Sequence, residues 1–327
     1  MSEPENAKIN AAICIATMDR HDMLRDLLRS MTALEIPEDV EVFFVIIDNN
    51  EAGDSGPIVD ELRSAFGDRK VYFDVEPIRG IPFSRNKAVE VALAKGADVV
   101  LFVDDDEIVP TDWFSKIWAF YKAEDHVLIG GPVKPRFDGE PADLMEKLVR
   151  DGLSARTARV AQKAADRVEK GEGHTVTVIT SNWLADARIF KDHDIWFDTK
   201  LQFTGGSDTQ FYRDVRAKGL STGWCSDAYV IETIPEERLS LGYQFRRGKE
   251  QSRVSLAAKI RDKGLVKMVP VTFVSILLRS IGIAATTLLV FVKPGDALVR
   301  IARSSGWLVG RVTALLGAKS SLYAPDT

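Results

Sequence analysis

Val99-Val100-Leu101-Phe102-Val103-Asp104-Asp105-Asp106-Glu107 joins five apolar residues directly to four acids. A continuous apolar run of this length reads as a strand buried on both faces, as in a parallel sheet. The acids then stand at the strand's C-terminal end, where open α/β sheets bind ligands. Clustered carboxylates repel one another and raise each other's pKa unless a cation neutralises them. A hard divalent ion with oxygen ligands, Mg²⁺ or Mn²⁺, is the natural occupant. A solvated acidic turn is the plainer alternative, and the attachment to a buried strand argues against it.

The flanking sequence repeats the pattern. Ala11 to Thr17 and Val42 to Ile47 are apolar runs that stop at Thr17-Met18-Asp19-Arg20 and Asp48-Asn49-Asn50. Met23, Leu24, Leu27, Leu28 and Met31 fall at helical spacing. Val71 to Val75 reads as a third strand, and Arg79-Gly80 leads into a helix expected from about Ser84 to Lys95, with Ser84 as N-cap. Alternating buried strands and helices give a mostly parallel sheet with right-handed crossovers. Its strand-end turns gather on one edge. An isolated Asp after a strand is more often a turn residue. Thr17/Asp19, Asp48/Asn50 and Asp104/Asp106 together point to a site.

Beyond the acids, Val127 to Val133 is a strand broken by Gly130 and Gly131. Residues 140 to 172 are charged and helical, and read as a solvated segment. Val176 to Trp183, which includes Asn182, and Trp224 to Ile231 read as further strands. Phe203-Thr204-Gly205-Gly206-Ser207-Asp208 is a glycine turn opening a helix. An acid in a first helical turn is favoured by the helix dipole whatever its function.

With 327 residues, 45% of them hydrophobic, the chain can hold one large α/β domain or a domain with an appendage. A formal net charge of −5 argues against a general nucleic-acid binder. Cys14 and Cys225 suit buried free thiols rather than a disulfide framework. The N-terminus lacks a basic-then-apolar signal, so the catalytic portion is expected in the cytoplasm.

Taken in order, Asp48 after its strand, Arg79-Gly80…Ser84-Arg85-Asn86, Asp104-Asp105-Asp106, Gly205-Gly206-Ser207-Asp208 and Gln244-Phe245-Arg246-Arg247-Gly248 resemble the family 2 glycosyltransferases of the GT-A fold. The likeness is to bacterial members that build surface polysaccharide. It covers about residues 10 to 255. It implies a Rossmann-like mixed α/β sheet. It implies that Thr17, Asp19 and Asp48 line the nucleotide pocket, and that Arg79, Arg85, Asp104, Asp105, Gly131 and Asn182 join the donor site. Asp104 and Asp106 match the D-x-D motif, with Asp106 on the metal, Mg²⁺ or Mn²⁺. Asp208 matches the general base, although Ser207 stands where a glutamate is usual. Gln244 and Arg247 echo Q-x-x-R-W, and Arg246 and Arg247 would face the leaving diphosphate. Gly248 replaces a tryptophan found in processive synthases, which favours single additions. The implied donor is a nucleotide-sugar, with UDP the usual carrier.

The chemistry agrees independently of the family. An inverting transfer needs a base for the acceptor hydroxyl and positive charge on the departing diphosphate. A sugar nucleotidyltransferase would share the sheet and metal, but its glycine-rich loop after the first strand is replaced by Ala16-Thr17-Met18-Asp19. A non-catalytic nucleotide-sugar binder is the third reading, left open by Ser207 and Gly248.

Val271 to Val292 is an apolar stretch interrupted by Arg279. At about 1.5 Å per residue it would extend roughly 33 Å, the depth of a bilayer core. A spanning helix, a partly embedded hairpin and a buried soluble helix all fit. Next, Leu298, Ile301, Leu308, Val312 and Leu315 fall on one helical face and Arg300, Arg303 and Arg311 on the other. That pattern predicts a basic amphipathic helix on an anionic membrane. The expected organisation is a disordered segment 1–9, a GT-A domain over 10–255 and a helical, membrane-associated region over 256–327. The enzyme would sit at the cytoplasmic face of the inner membrane, acting on a glycan or polyprenyl-linked acceptor.

Overall fold

The computed structural model describes residues 8–202 and 205–317. Residues 1–7 of the expected disordered segment, and Phe203 and Thr204 of the glycine turn, lie outside them. The chain forms two compact units.

The first unit comprises described residues 8–134, 161–202 and 207–232. In chain order its elements begin with β1 (Ile9–Thr17), α1 (His21–Thr32), β2 (Val40–Asp48), α2 (Gly56–Leu62), β3 (Val71–Val75) and α3 (Ile81–Ala94). They continue with β4 (Val99–Val103), β5 (Glu107–Ile108), α4 (Trp113–Ala123), β6 (Leu128–Gly130) and the start of β7 (Val133–Arg136). The helix α5 (Leu144–Glu169) passes from the second unit into the first. After it come β8 (Asn182–Asp186), α6 (Arg188–Lys191), α7 (Ser207–Ala217), β9 (Thr222–Trp224) and β10 (Val230–Thr233).

The main sheet has seven strands in the order β3-β2-β1-β4-β8-β6-β9. β1 pairs in parallel with β2 and with β4, and β2 in parallel with β3. β8 runs antiparallel to both neighbours, so the sheet is mixed. The apolar runs are long because each strand is covered twice. Ile13, Ile15, Phe44, Ile46 and Leu101 pack with α1 on one face. Cys14, Val45, Ile47, Val100 and Phe102 pack with α3 and α7 on the other. Both cysteines are free and buried. A small second sheet, β5-β10-β7, begins where the acids end.

Several boundaries differ from the sequence reading. The helix α3 starts at Ile81, so Ser84 is a buried interior residue whose hydroxyl donates to the Ile81 carbonyl at 3.1 Å. Pro82 in the first turn presets the helix three residues earlier than a serine cap would. Residues 176–181 are not a strand; a turn, with Asn182 N–H donating to the Ile179 carbonyl, delivers the chain to β8. Trp224 to Ile231 divides between β9 and β10.

The second unit comprises described residues 135–160, 205–206 and 233–317. Its helices are the first part of α5, then α8 (Leu241–Lys263), α9 (Leu265–Thr287) and α10 (Pro294–Leu315). α8 runs unbroken through residue 255, where the sequence reading set a boundary. α8 and α10 meet backbone to backbone. A Cβ on Gly306 would strike the Phe245 carbonyl, one on Gly310 the Lys249 carbonyl, and one on Gly248 the Arg303 carbonyl. No tryptophan fits at 248, which accounts for that departure from the family pattern. The same approach turns the arginine face of α10 inward. Arg303 donates to Gln244 at 2.8 Å and to Gln251 at 2.6 Å, and Arg311 is buried against Ser255. These two arginines hold the helices together and do not face outward, as the amphipathic pattern suggested. Arg300 stays exposed, as the sequence pattern suggested, and so do Val309, Val312 and Leu316.

Gly306→Val is expected to lower stability by about 1–3 kcal/mol through overpacking. Denaturant unfolding checks this, and an unchanged midpoint would mean the two helices are not in this contact.

Candidate active site

Asp104, Asp105 and Asp106 leave β4 at the centre of the main sheet, beside β1. That adjacency brings the β1–α1 turn over the acids. The Thr17 hydroxyl donates to Asp105 Oδ2 at 2.9 Å. Arg20 Nη1 donates to Asp105 Oδ1 at 2.8 Å and Asp106 Oδ2 at 3.1 Å. From α3, Arg85 Nη2 reaches Asp104 Oδ1 at 3.2 Å, its guanidinium 5.7 Å from the Phe197 ring centroid. Asn86 clasps the Phe197 backbone at both N–H and C=O, each at 3.0 Å. Glu107 turns back to accept the Asp104 N–H at 2.8 Å and is paired in the small sheet with Glu232.

Five carboxylates therefore converge, from Asp104, Asp105, Asp106, Glu107 and Glu232. Burial raises the Asp106 pKa to about 7, with Asp104, Glu232 and Asp105 adding to the rise and Arg20 opposing it. Burial raises Asp105 too, against the pull of Arg20 and Thr17, and lifts Glu107 well above the carboxylate range. Burial works against the Arg20 charge, and the aspartates overcome it, so its pKa rises. Sequence reasoning singled out neither Arg20 nor Glu232.

Next to the acids lies a cleft of about 220 Å³ lined by Met18, Asp19, Asn49, Asn50, Glu51, Pro77 and Arg79. Asp19 sits at φ +57°, a left-handed conformation that Asp tolerates, and accepts from Asn50 Nδ2 at 2.9 Å. Asn49 builds the far wall. Its amide donates to the carbonyls of Glu76 at 2.9 Å and Ile78 at 2.8 Å, and its Oδ1 accepts the Gly80 N–H at 2.7 Å. That fixes the loop carrying the exposed Arg79.

Other predicted residues serve the scaffold. Asp48 is buried, and its two oxygens accept the N–H groups of Asn50 at 3.1 Å and Ser55 at 2.9 Å. Asn182 is fully buried. It accepts from the Trp113 indole at 2.9 Å and donates to the carbonyls of Pro132 at 3.0 Å and Ala228 at 2.7 Å. Gly131 lies against the same amide, with no room for a Cβ. The residues on either side of it, Ser181 just before β8 and Trp183 on it, differ. The Ser181 hydroxyl and the Trp183 indole nitrogen are buried with no hydrogen-bond partner among the described residues. Asn182 pairs with Val103, so Ser181 comes next, level with the first acids.

Asp208 lies in the first turn of α7, where its Oδ1 accepts the Thr209 N–H at 2.6 Å. Gln244, Arg246 and Arg247 lie on α8 of the second unit. Gln244 is buried, donating to the Arg238 carbonyl at 2.8 Å and accepting from Arg303, and Arg246 is exposed. Arg247 and Arg156 are close enough to Arg303 to add to the effect of burial, which takes the Arg303 pKa down to about 10.

A doubly covered sheet, a polar cleft and cations set over strand-end acids define an α/β enzyme of the nucleotide-diphospho-sugar transferase class. The chain belongs to glycosyl transferase family 2, whose family model matches residues 12–193, and it is a glycosyltransferase of the GT-A fold. The nucleotidyltransferase and non-catalytic alternatives fall away with that membership. The succinoglycan biosynthesis protein ExoM of Rhizobium meliloti is 26% identical over 256 residues, covering 76% of each chain. The mannosyltransferase PcManGT of Pyrobaculum calidifontis, solved with GDP-Man and Mn²⁺, has a TM-score of 0.62 at 15% identity, over 94% of this chain and 87% of that one. S. aureus TarS 1-349 with UDP-GlcNAc has a TM-score of 0.52 at 16% identity, over 94% and 92%.

Arg20→Met is expected to lower stability by about 1–2 kcal/mol, a figure reduced because this guanidinium is partly open to solvent. Urea unfolding measures it. A variant as stable as the parent would mean that Arg20 does not hold the acids.

Proposed function

We propose that the protein is an inverting, metal-dependent glycosyltransferase of surface polysaccharide synthesis. It moves a sugar from a nucleoside-diphosphate donor, with UDP the first candidate, to a lipid-linked glycan at the cytoplasmic face of the inner membrane. The observation that carries this reading is the set of Arg20, Arg85, Asp104 and Asp106 beside the Asp19–Arg79 cleft. The similarity to a succinoglycan biosynthesis protein supports the product class. The nucleotide-sugars bound by the structural neighbours support the donor class.

The donor's base and ribose would occupy the cleft between Asp19, Asn50 and Arg79, with Asp48 shaping its floor through the turn. Among the described residues no three acid, His or Cys side chains form a metal cage. Two carboxylates completed by substrate phosphates are nevertheless a usual Mg²⁺ site, and Asp104 and Asp106 are hard oxygen donors. They would hold Mg²⁺ or Mn²⁺, which would neutralise the diphosphate. Arg85 would bind the same phosphates. The unpartnered Ser181 hydroxyl and Trp183 N–H would meet hydroxyls of the transferred sugar.

Asp208 is the proposed base. It takes the acceptor hydroxyl proton as that oxygen bonds to C1. The C1–O bond to the diphosphate breaks, the electron pair leaves with the nucleotide, and the anomeric centre inverts. With Gly248 in place of the tryptophan, one sugar is added per encounter.

A panel of nucleotide-sugars, with Mn²⁺ or with EDTA, tests the reading by transfer and by thermal stabilisation. Asp208→Asn and Asp106→Ala are expected to lower transfer at least ~1,000-fold, about 4 kcal/mol of barrier, with the fold retained. Wild-type turnover in Asp208→Asn would overturn the base assignment. Ser181→Ala is expected to raise KM for the nucleotide-sugar about 10-fold while leaving the affinity for the free nucleotide diphosphate unchanged. An unchanged KM would remove Ser181 from the donor site.

A further inference from the structure

The geometry points to α9 as a membrane-embedded helix lying in the plane of one leaflet, with its outward face in the lipid and its inner stripe on α8 and α10. This deepens the membrane part of the reading above. It also addresses whether the apolar stretch crosses the bilayer or lies on it.

The outward face is apolar and uncovered. Val266 is 86% exposed, Phe273 73%, Leu278 64%, Leu288 73% and Phe291 90%. Leu265–Phe291 is also long and apolar enough to cross a bilayer. An apolar patch of this extent marks a partner or a membrane. The polar groups of the helix decide between them. Ser275, Ser280, Thr286 and Thr287 each donate a hydroxyl to the carbonyl four residues back, at 2.7 to 3.1 Å. Each is thus satisfied without water, as hydrocarbon requires. Arg279, the charge midway along, is exposed but directs its guanidinium to α10: it donates to Ser304 at 3.4 Å and lies 4.7 Å from the Trp307 ring centroid. Lys263 and Lys267 stand at one end of the apolar stretch and Lys293 at the other, all exposed. Ammonium groups at both limits of an apolar belt complement anionic headgroups. A second protein copy would not need them there.

Packing excludes a crossing orientation. Met268, Thr272 and Thr286 are buried, and the exposed Arg279 reaches Ser304 of α10 at 3.4 Å, so α9 touches its neighbours near both ends and in the middle. α10 is fused to α8 through Gly306, Gly310 and Gly248. A spanning α9 would therefore draw α8 into the hydrocarbon. α8 carries nine charged residues between Arg246 and Lys263. Each costs about 2.5–3.5 kcal/mol at mid-membrane. Lying flat, α9 buries its apolar face and leaves α8 in water.

The test uses the full chain and vesicles of phosphatidylglycerol and phosphatidylethanolamine, with pure phosphatidylcholine as comparison. The protein is expected to float with the anionic vesicles, and Phe273→Glu/Leu278→Glu to reduce the bound fraction at least tenfold. In an otherwise unaltered chain, Lys267→Cys and Lys293→Cys are both expected to react with an impermeant maleimide added outside, since Cys14 and Cys225 are buried. Protection of one of the two until detergent is added would show a spanning helix and overturn the proposal. So would failure to bind vesicles, with the apolar face instead closing a dimer that the glutamates split. Nucleotide-sugar turnover in detergent is measured separately, so failure of this seat and failure of the transferase reading give different results.

Discussion

Asp104 to Glu107 leave one buried strand together, and Glu232 is aligned with Glu107 across the small sheet. Two unit charges 4 Å apart cost about 4 kcal/mol at an effective dielectric of 20. No fold accepts several such repulsions for stability alone. The structure answers with Arg20 on Asp105 and Asp106, and Arg85 on Asp104. Both cations depend on the topology. Arg20 arrives because β1 lies beside β4, and Arg85 because α3 packs over β1. The order of the central strands and the chemistry at their ends are one arrangement.

The sequence was legible where the signal was local. Continuous apolar runs identified strands covered on both faces, and the register of β1, β2 and β4 agrees with them. The strand-end acids and Arg85 were legible for the same reason. Arg20 was not, because it reads as a turn residue until β1 and β4 are adjacent, and its partners are 85 and 86 positions away. Glu232 was hidden behind a strand that ends early. Asn49 carried a signal: an Asp-Asn-Asn turn holds more side-chain hydrogen-bonding capacity than a turn needs. Asp48 and Asn182 show the converse. Each is a polar residue at the site's edge, and each spends its oxygens or amide on buried backbone groups, where an unpaired carbonyl or N–H would cost about 1–3 kcal/mol.

The C-terminal helices show a limit of periodicity. A stripe of arginines opposite a stripe of apolar residues has the same pattern whichever face packs inward. The arginines of α10 suggested an exposed basic face. Glycines decided otherwise. Gly306 and Gly310 recur at the spacing of one turn and admit a backbone. A helix face with small residues at that spacing is a packing face, and Arg303 and Arg311 beside it donate hydrogen bonds to the partner helix. The apolar surface then belongs to α9, whose own arginine is drawn away from it.

The raised pKa values also bear on how the labour is divided. A carboxylate lifted toward neutrality, as Asp106 is by burial and its neighbours, would by itself be the better proton acceptor. In an inverting displacement, however, the nucleophile and the leaving group occupy opposite sides of C1. Acids that neutralise a departing diphosphate through a cation cannot also receive the proton on the attacking side. In the proposed reaction the base comes from another element. Asp208, at the start of α7, is outside the group of acids that raise Asp106 and Glu107. In the proposed reaction the base has to stand apart from the acid cluster, and Asp208, about a hundred residues further along the chain, is the residue proposed for it.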